Sequence, residues 1–529
     1  MKQIKTNAFA ELLLRLSEEI NDILRANLYE IGLDENEVNR LKKKKQDLRQ
    51  ALQNCGIGDS SAKNYIKGTI KNILAQKLLV NVDEYEKIIP FSDKYKLSVR
   101  EKFDIILFLY QKKYKNEAME KIIDETGVLD TLNEGGDDSI SVKSSDIEKV
   151  FDGCFRRLND NEKLDIIVQR LYAHFRGLGV IDDLRDMKIE GVSGGVSGRK
   201  DEFNSVWILF KGINIHLDFL SFESEGELER ICMNIYRFGS PGQLSMSKGY
   251  IVNEMKDNSR VVVVRPPFAE SFAFFVRKFD TVEKKSLENL IVDEGFEIVC
   301  DVLKFIVKGC QVTAVTGAQG SGKTTLLMSL IDFIPKGYTL RIQEMAFELH
   351  LREIYSDRNI LTFRETDYIS GQEGLDIQKK TDGTVNILGE VATSGVASWL
   401  IQMSQTGSLF TMFTHHAKTT DSLIKYMRNS LLSNNVFTNE GVALEQVVEA
   451  IRFDVHLEKN IYGHRYVERI SEIVPNANTR GYEIRNIIEY RDGKYVKCAN
   501  FSKYCIDDIR KHLKDSEKEE FDEKFNISV

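Results

Sequence analysis

One stretch constrains the fold of this chain more than any other: QVTAVTGAQGSGKTTLLMSL, residues 311–330. Its opening residues are β-branched and largely apolar, the composition of a strand buried on both faces. From Lys323 onward the sequence reads as a helix, and the two elements are joined by the glycine-rich run 317–322. A strand that passes through such a loop straight into a helix belongs in a layered α/β fold around a parallel sheet. The glycines let the loop turn and bring its backbone N–H groups against oxygen ligands without side-chain clashes. The helix N-terminus adds unsatisfied donors and partial positive charge. Gly317, Gly322, Lys323 and Thr324 satisfy G-x-x-x-x-G-K-[ST], the spacing that cradles a phosphate chain. The pattern assigns phosphate contacts to Gly317, Ala318, Gln319, Gly320, Ser321, Gly322, Lys323, Thr324 and Thr325. Lys323 can reach the β- and γ-phosphates and the Thr324 hydroxyl can ligate Mg²⁺. The expected ligands are therefore ATP and Mg²⁺. The bland alternative is an ordinary glycine turn between a strand and a helix.

The rest of the chain supplies context. Its 529 residues, 42% hydrophobic and 29% charged, allow several globular domains. A net charge of −8 gives no global sign of nucleic-acid binding. No apolar run approaches the ~18 residues of a membrane span, and Met1 to Ala10 lacks a signal-peptide core. The expected location is cytoplasmic, with any membrane link made through a partner. Seven scattered cysteines form no C-x-x-C pair, as expected of reduced, structural thiols.

Residues 1–132 read as a helical extension: Phe9, Leu13, Leu16, Ile20 and Leu24 recur at helical spacing, as do Ile66, Ile70, Ile73 and Leu74. Asp59 or Ser60 is the expected N-cap of the second stripe. The run Lys42 to Lys45 reads as a solvated helix face or a docking patch. A polar, glycine-bearing stretch, NEGGDDSISVKSSD (133–146), reads as a linker, and 133–164 as linker plus connecting helix. Alternating runs, SVWILFKGINIHLDFLSF (205–222) and SRVVVVRPPF (259–268), with a helix between them, predict a small α/β domain over 165–280. Helix and strand signals then alternate through 281–505, and 506–529 reads as a charged, peripheral tail.

Downstream of the loop, RIQEMAFELHL (341–351) places Glu344 after a short strand, TVNILGEVA (384–392) ends in Gly389-Glu390, and QTGSLFTMFTHHA (405–417) ends in histidine. This order resembles the secretion ATPase superfamily, the hexameric motors of type II and type IV secretion and type IV pili. It is most similar to CpaF-type ATPases of tight-adherence (Flp) pili. The family phosphate loop G-x-T-G-S-G-K-T-T is here GAQGSGKTT, and its acidic box I-E-D-x-x-E-L is IQEMAFEL, aligning Glu344 and Glu348. Its I-V-G-E-V-R strand is ILGEVA, and its histidine box, T-G-H-x-x-S-x-x-T-x-H-A, is TGSLFTMFTHHA, ending at His416. Weaker likenesses extend from about 165 to 500, including NSRVVVVRPPF (258–268) and FFVRKF (274–279). Residues 1–150 match nothing in the family.

The resemblance implies an α/β fold, with a RecA-like phosphate-loop NTPase core preceded by a small, PAS-like α/β domain and here by the helical extension. It also implies ATP hydrolysis by a homo-hexamer that powers pilus or secretion-system assembly. The implied partner is a polytopic platform protein at the inner face of the cytoplasmic membrane. By the same resemblance Glu344 activates water, Glu390 holds Mg²⁺ through a water, His416 senses the γ-phosphate, and Arg260 and Arg277 supply cations. Arg364 matches a family arginine as well. His415 should point away from the site, since neighbours on a strand face opposite sides. Met345 replaces an aspartate, Ala392 an arginine and Ser408 a histidine of the family pattern, which leaves slow turnover open. The competing readings are a nucleotide-binding structural or regulatory paralogue and a nucleic-acid motor sharing the core; no nucleic-acid partner is expected.

Overall fold

A computed structural model describes residues 2–26, 35–129, 140–196, 205–278, 286–344, 347, 349–366, 369–460, 463–476 and 481–527. Among the sequence readings, residues 133–139 of the linker, Met345 and Glu348 lie outside the described residues. The chain divides into two compact units, Met1–Phe279 and Asp280–Val529. Both are mixed α/β, the expected class. Among the described residues no helix is long and apolar enough to cross a membrane.

The first unit contains a seven-stranded sheet: β1 (Ser141–Val142), β2 (Gly191–Gly194), β3 (Trp207–Phe210), β4 (Ile213–Leu217), β5 (Tyr250–Glu254), β6 (Arg260–Val264) and β7 (Ala273–Arg277). Their spatial order is β1-β4-β3-β2-β7-β6-β5. The alternating run 205–222 forms the hairpin β3–β4. Lys211 (φ 50°) and Gly212 (φ 74°) close it, and two left-handed residues match the right-handed twist of the flanking strands. The helix predicted at 60–79 spans Ser60–Gln76, and Asp59 is its cap, accepting the Ala62 N–H at 3.0 Å.

Two expectations about this unit change. Residues 1–132 are not a separate extension, because Leu16, Ile66 and Ile106 share one buried core with Ile167, Leu217 and Val263. The stripes of the early helices bury themselves against the later α/β elements, a pairing that sequence periodicity cannot specify. The polar stretch 133–146, read wholly as linker, contributes β1: Ser141 and Val142 pair in parallel with His216 and Leu217. Two residues are too few to show an alternating pattern.

The second unit carries β8 (Thr313–Gly317), β9 (Leu340–Glu344), β10 (Ile360–Arg364), β11 (Val385–Leu388), β12 (Phe410–His415), β13 (Phe453–Lys459), β14 (Arg465–Asn476), β15 (Gly481–Arg491) and β16 (Lys494–Lys497). They form one sheet ordered β10-β9-β11-β12-β8-β13-β14-β15-β16. β8 to β13 run parallel to one another, and β14 to β16 continue antiparallel. The inner parallel strands β8, β9, β11 and β12 are continuous runs of buried residues, as a sheet covered on both faces requires, whereas the edge strand β10 buries only Ile360. All six parallel strands therefore end at the same edge, where open α/β sheets bind ligands.

The tail from 506, read as charged and peripheral, is packed over its described residues. The helices Lys503–His512 and Asp515–Phe525 bury Ile509, Phe521 and Phe525. Phe521 lies 5.0 Å from Phe305, and Lys308 and Lys524 pair with Glu517 and Asp301. Two aromatics four residues apart in a run of charge make a stripe too narrow to read in advance.

Candidate functional site

The phosphate loop is built from strain that only glycine tolerates. Gly317, closing β8, has φ 140°, and a Cβ there would stand 2.2 Å from the Leu457 carbonyl oxygen of β13. The strand end thus runs against its neighbour's backbone. Gly322 (φ 97°) precedes the helix Lys323–Leu330 and leaves its first N–H groups facing the loop. Ala318 and Gln319 are exposed, Gly320 and Thr324 half-buried, Thr325 exposed, and Ser321 wholly buried.

Lys323 is buried, and its ammonium donates to the carbonyl oxygens of Gly317 and Ala318, both at 2.9 Å. It also stands 3.3 Å from His416 Nδ1. An ammonium can only donate, so Nδ1 accepts and the imidazole proton sits on Nε2. That proton faces Glu390 Oε1 at 3.1 Å. The helix start, the end of β12 and the end of β11 are thereby joined in one chain of contacts: Glu390, His416, Lys323, loop carbonyls. Sequence order suggested these residues individually; their coupling comes from the neighbouring of β11, β12 and β8.

Glu344, the last residue of β9, is buried, and its Oε1 accepts the Leu349 N–H at 2.9 Å. Gly389, two strand ends away from the loop, makes room for it: a Cβ there would lie 3.0 Å from Glu344 Cγ. Gly389 thus packs against Glu344, and the next residue, Glu390, turns to His416. Arg364 is the register partner of Glu344 on β10, and its guanidinium lies 4.9 Å from the centre of the Phe347 ring. His415 faces away, as its place on the strand implied. It is buried, accepts the Ala417 N–H at 3.0 Å and stacks near Tyr426. Burial, with the nearby His416 and Lys323, pushes its pKa down to about 4.

Beneath the loop lies a buried polar cluster that sequence reading missed. Thr316 donates to Asp454 at 2.6 Å, Thr420 donates to the other Asp454 oxygen at 2.7 Å, and His456 Nδ1 lies 2.8 Å from the Thr316 hydroxyl. It ties β8 to β13 and to the helix Thr420–Ser433 just below the phosphate cradle. Also missed were two cations on the β13–β14 connection. Arg465 donates from Nε to the Gly320 carbonyl at 2.9 Å, and Lys459 Nζ approaches the same glycine. The only signal for them was a basic residue at each end of a predicted strand pair, which is common on any surface.

Arg260 and Arg277 lie in the first unit. They are directly opposite one another on β6 and β7, and Arg260 also faces Glu254 on β5. Two like charges at opposed positions are unfavourable by themselves. Ala392 offers its carbonyl to the Tyr426 hydroxyl at 3.4 Å, and Ser408 bonds Thr411 at 3.2 Å. Neither position supplies a cation. Among the described residues no group of histidine, cysteine and carboxylate side chains could hold a metal ion without help from another ligand.

The second unit thus presents a glycine cradle, a lysine, a hydroxyl and two carboxylates at the carboxyl edge of a parallel sheet, an arrangement suited to a phosphate chain and its cation. Residues 258–451 match the family described as "Type II/IV secretion system protein". Three solved structures are loosely similar. The VirB11 ATPase of the Brucella suis type IV secretion system, determined with sulphate, is 18% identical over 54% of this chain and 89% of that one, with a TM-score of 0.29. The Legionella pneumophila ATPase DotB is 16% identical over 55% and 78%, with a TM-score of 0.40. The pilus retraction motor PilT with bound ADP is 14% identical over 65% and 89%, also at 0.40. Likenesses this loose assign no role to any residue here. No curated protein sequence matches the chain.

Proposed function

We propose that the second unit, with a RecA-like core, binds Mg²⁺-ATP and hydrolyses it, and that the chain is a motor subunit for assembly of a pilus or secretion system. The motifs of the sequence favour a motor of the CpaF type that serves Flp pili. The observation that carries this reading is the contact chain from Glu390 through His416 to Lys323 and the loop carbonyls. A ligand's phosphate oxygens compete with those carbonyls for the ammonium. Drawing Lys323 to the phosphates loosens its hold on His416, so the imidazole and Glu390 register whether a phosphate chain is present. The Thr324 hydroxyl and, through a water, Glu390 would hold Mg²⁺, which supplies neutralisation of the phosphate charge. Glu344, fixed by the Leu349 N–H, is placed to orient and deprotonate the attacking water.

The cations of the transition state are shared. Arg465 and Lys459 stand at the loop, and the opposed pair Arg260 and Arg277, on a surface that sheet pairing alone disfavours, is proposed to serve a neighbouring copy in a homo-hexamer. The first unit's sheet would then be the PAS-like domain of such motors, and a polytopic platform protein at the inner face of the cytoplasmic membrane the partner. A second reading, a nucleotide-binding subunit with little turnover, is favoured by Ala392, which gives the site only a carbonyl where the resembled family has an arginine.

Mg²⁺-ATP turnover and ATP binding measured together on size-resolved protein test both readings. Wild type should turn over ATP, with specific activity rising alongside a hexamer. Glu344→Gln should bind ATP normally and lose turnover by about 10²-fold or more, since an amide accepts no proton. Arg277→Ala should lower turnover without weakening binding. Turnover by Glu344→Gln equal to wild type refutes the role of Glu344; binding with no turnover in wild type selects the second reading.

A further inference from the structure

The helical part of the first unit encloses a cavity of about 300 Å³ between the helices Ser60–Gln76, Val99–Tyr114 and Asp160–Phe175. Its size is at the lower end of those that hold small ligands. Four of the residues that line it each carry a buried side-chain atom with no hydrogen bond among the described residues: Arg100 Nη1, Asp104 Oδ2, Gln169 Oε1 and Arg170 Nη1. Folded proteins keep such orphans rare, and a cluster of four in one cavity asks for a partner.

Arg100, Asp104 and Gln169 are held in place by their other atoms. Arg100 Nε bonds Asp104 Oδ1 at 3.0 Å, which leaves Nη1 and Oδ2. Gln169 Nε2 donates to Asp182 Oδ2 at 2.9 Å, which leaves Oε1. Arg170 Nη1 is 3.8 Å from Glu101 Oε1, an ion pair too long for a hydrogen bond. The first three side chains are therefore set before anything binds. His174, also on the wall, is half-buried near Arg100, Arg170 and Arg230, and desolvation followed by these charges pushes its pKa down to about 3. The imidazole is neutral, and the wall carries Lys67, Lys71, Arg100 and Arg170 against Asp104, Asp165 and Asp183. At the rim, Gly68 lies within a helix, where glycine is disfavoured; a Cβ there would meet nothing within 4 Å.

We propose that this cavity is a binding site for a small anion that also carries hydrogen-bond donors, with the two guanidinium groups taking the anionic oxygens and Asp104 and Gln169 accepting from hydroxyl or ammonium groups. Hydroxy- and amino-carboxylates and sugar phosphates share that chemistry. It is separate from the phosphate loop, which lies in the other unit.

Calorimetric titration of the full chain with malate, glutamate and glycerol 3-phosphate tests the site, with glycerol as the neutral control. Glycerol 3-phosphate is run in the Lys323→Ala chain so that the phosphate loop does not contribute. At least one anion should bind and glycerol should not. Arg170→Gln should weaken that binding about 10- to 100-fold, the effect of losing one charge-assisted hydrogen bond. Gly68→Leu, which improves helix propensity and fills the rim, should weaken it at least about tenfold without loss of folding. Absence of binding by all three anions up to about 10 mM, where even a weak site fills, overturns the proposal. So does binding that neither substitution changes.

Discussion

Gly317→Ala examines how the phosphate cradle is built. The added methyl carbon would lie 2.2 Å from the Leu457 carbonyl oxygen and 2.8 Å from Ser321 Oγ, well inside the ~3.5 Å of an ordinary contact. The first obstacle is backbone and cannot rotate away. A side chain at φ 140° adds roughly 1–3 kcal/mol of conformational strain. Relief requires the end of β8 to part from β13, giving up one or two ladder hydrogen bonds at about 1 kcal/mol each. The sum is about 2–5 kcal/mol. For a unit of this size each kcal/mol lowers Tm by roughly 2–4 °C, so its transition should fall by on the order of 10 °C. Gly320→Ala is the matched control: its φ is 75°, and its nearest foreign atom is Lys459 Nζ at 3.8 Å. That change should carry only the left-handed penalty of about 1–2 kcal/mol. Scanning calorimetry and ATP titration of both variants should show Gly317→Ala losing affinity as well as stability, while Gly320→Ala stays within about tenfold of wild-type affinity. Equal effects of the two substitutions would refute the packing argument and reduce the motif to loop flexibility.

Asp454→Ala removes the acceptor of two buried hydroxyls and should destabilise the second unit by about 2–4 kcal/mol, read as a lowered Tm together with weaker ATP binding. Phe521→Ala should cost about 3–5 kcal/mol, read by denaturant unfolding; a change within error would restore the picture of a loose tail. The His415 pKa is about 4 when folded against ~6.5 unfolded. The unfolded state therefore takes up the proton first, and stability from the neutral, buried ring is present above pH ~6.5 and lost as pH falls towards 4. Unfolding midpoints measured across that window should decline in wild type and less steeply in His415→Asn, and parallel curves would refute the assignment.

The phosphate loop and the acidic strand ends were legible because their chemistry is local. The loop's residue types follow from what a backbone must do to approach phosphate, and a buried parallel strand announces itself by composition. A cap at Asp59 or Ser60 and strand character at 205–222 were legible for the same reason: each depends on residues a few positions apart. The facing of His415 away from the site followed from strand alternation alone. What the sequence could not supply was every relation that depends on which strands become neighbours. Order β9-β11-β12-β8-β13 sets Glu344 against Gly389, joins Lys323 to His416 and Glu390, and slides Asp454 under Thr316, pairs separated by tens of residues or more. The same holds for Arg465 at Gly320, for the packed helices after residue 502, and for the four orphaned groups of the first unit's cavity. Local propensity is written in short-range spacing, whereas burial and partnership are decided by the tertiary contacts that bring distant segments together.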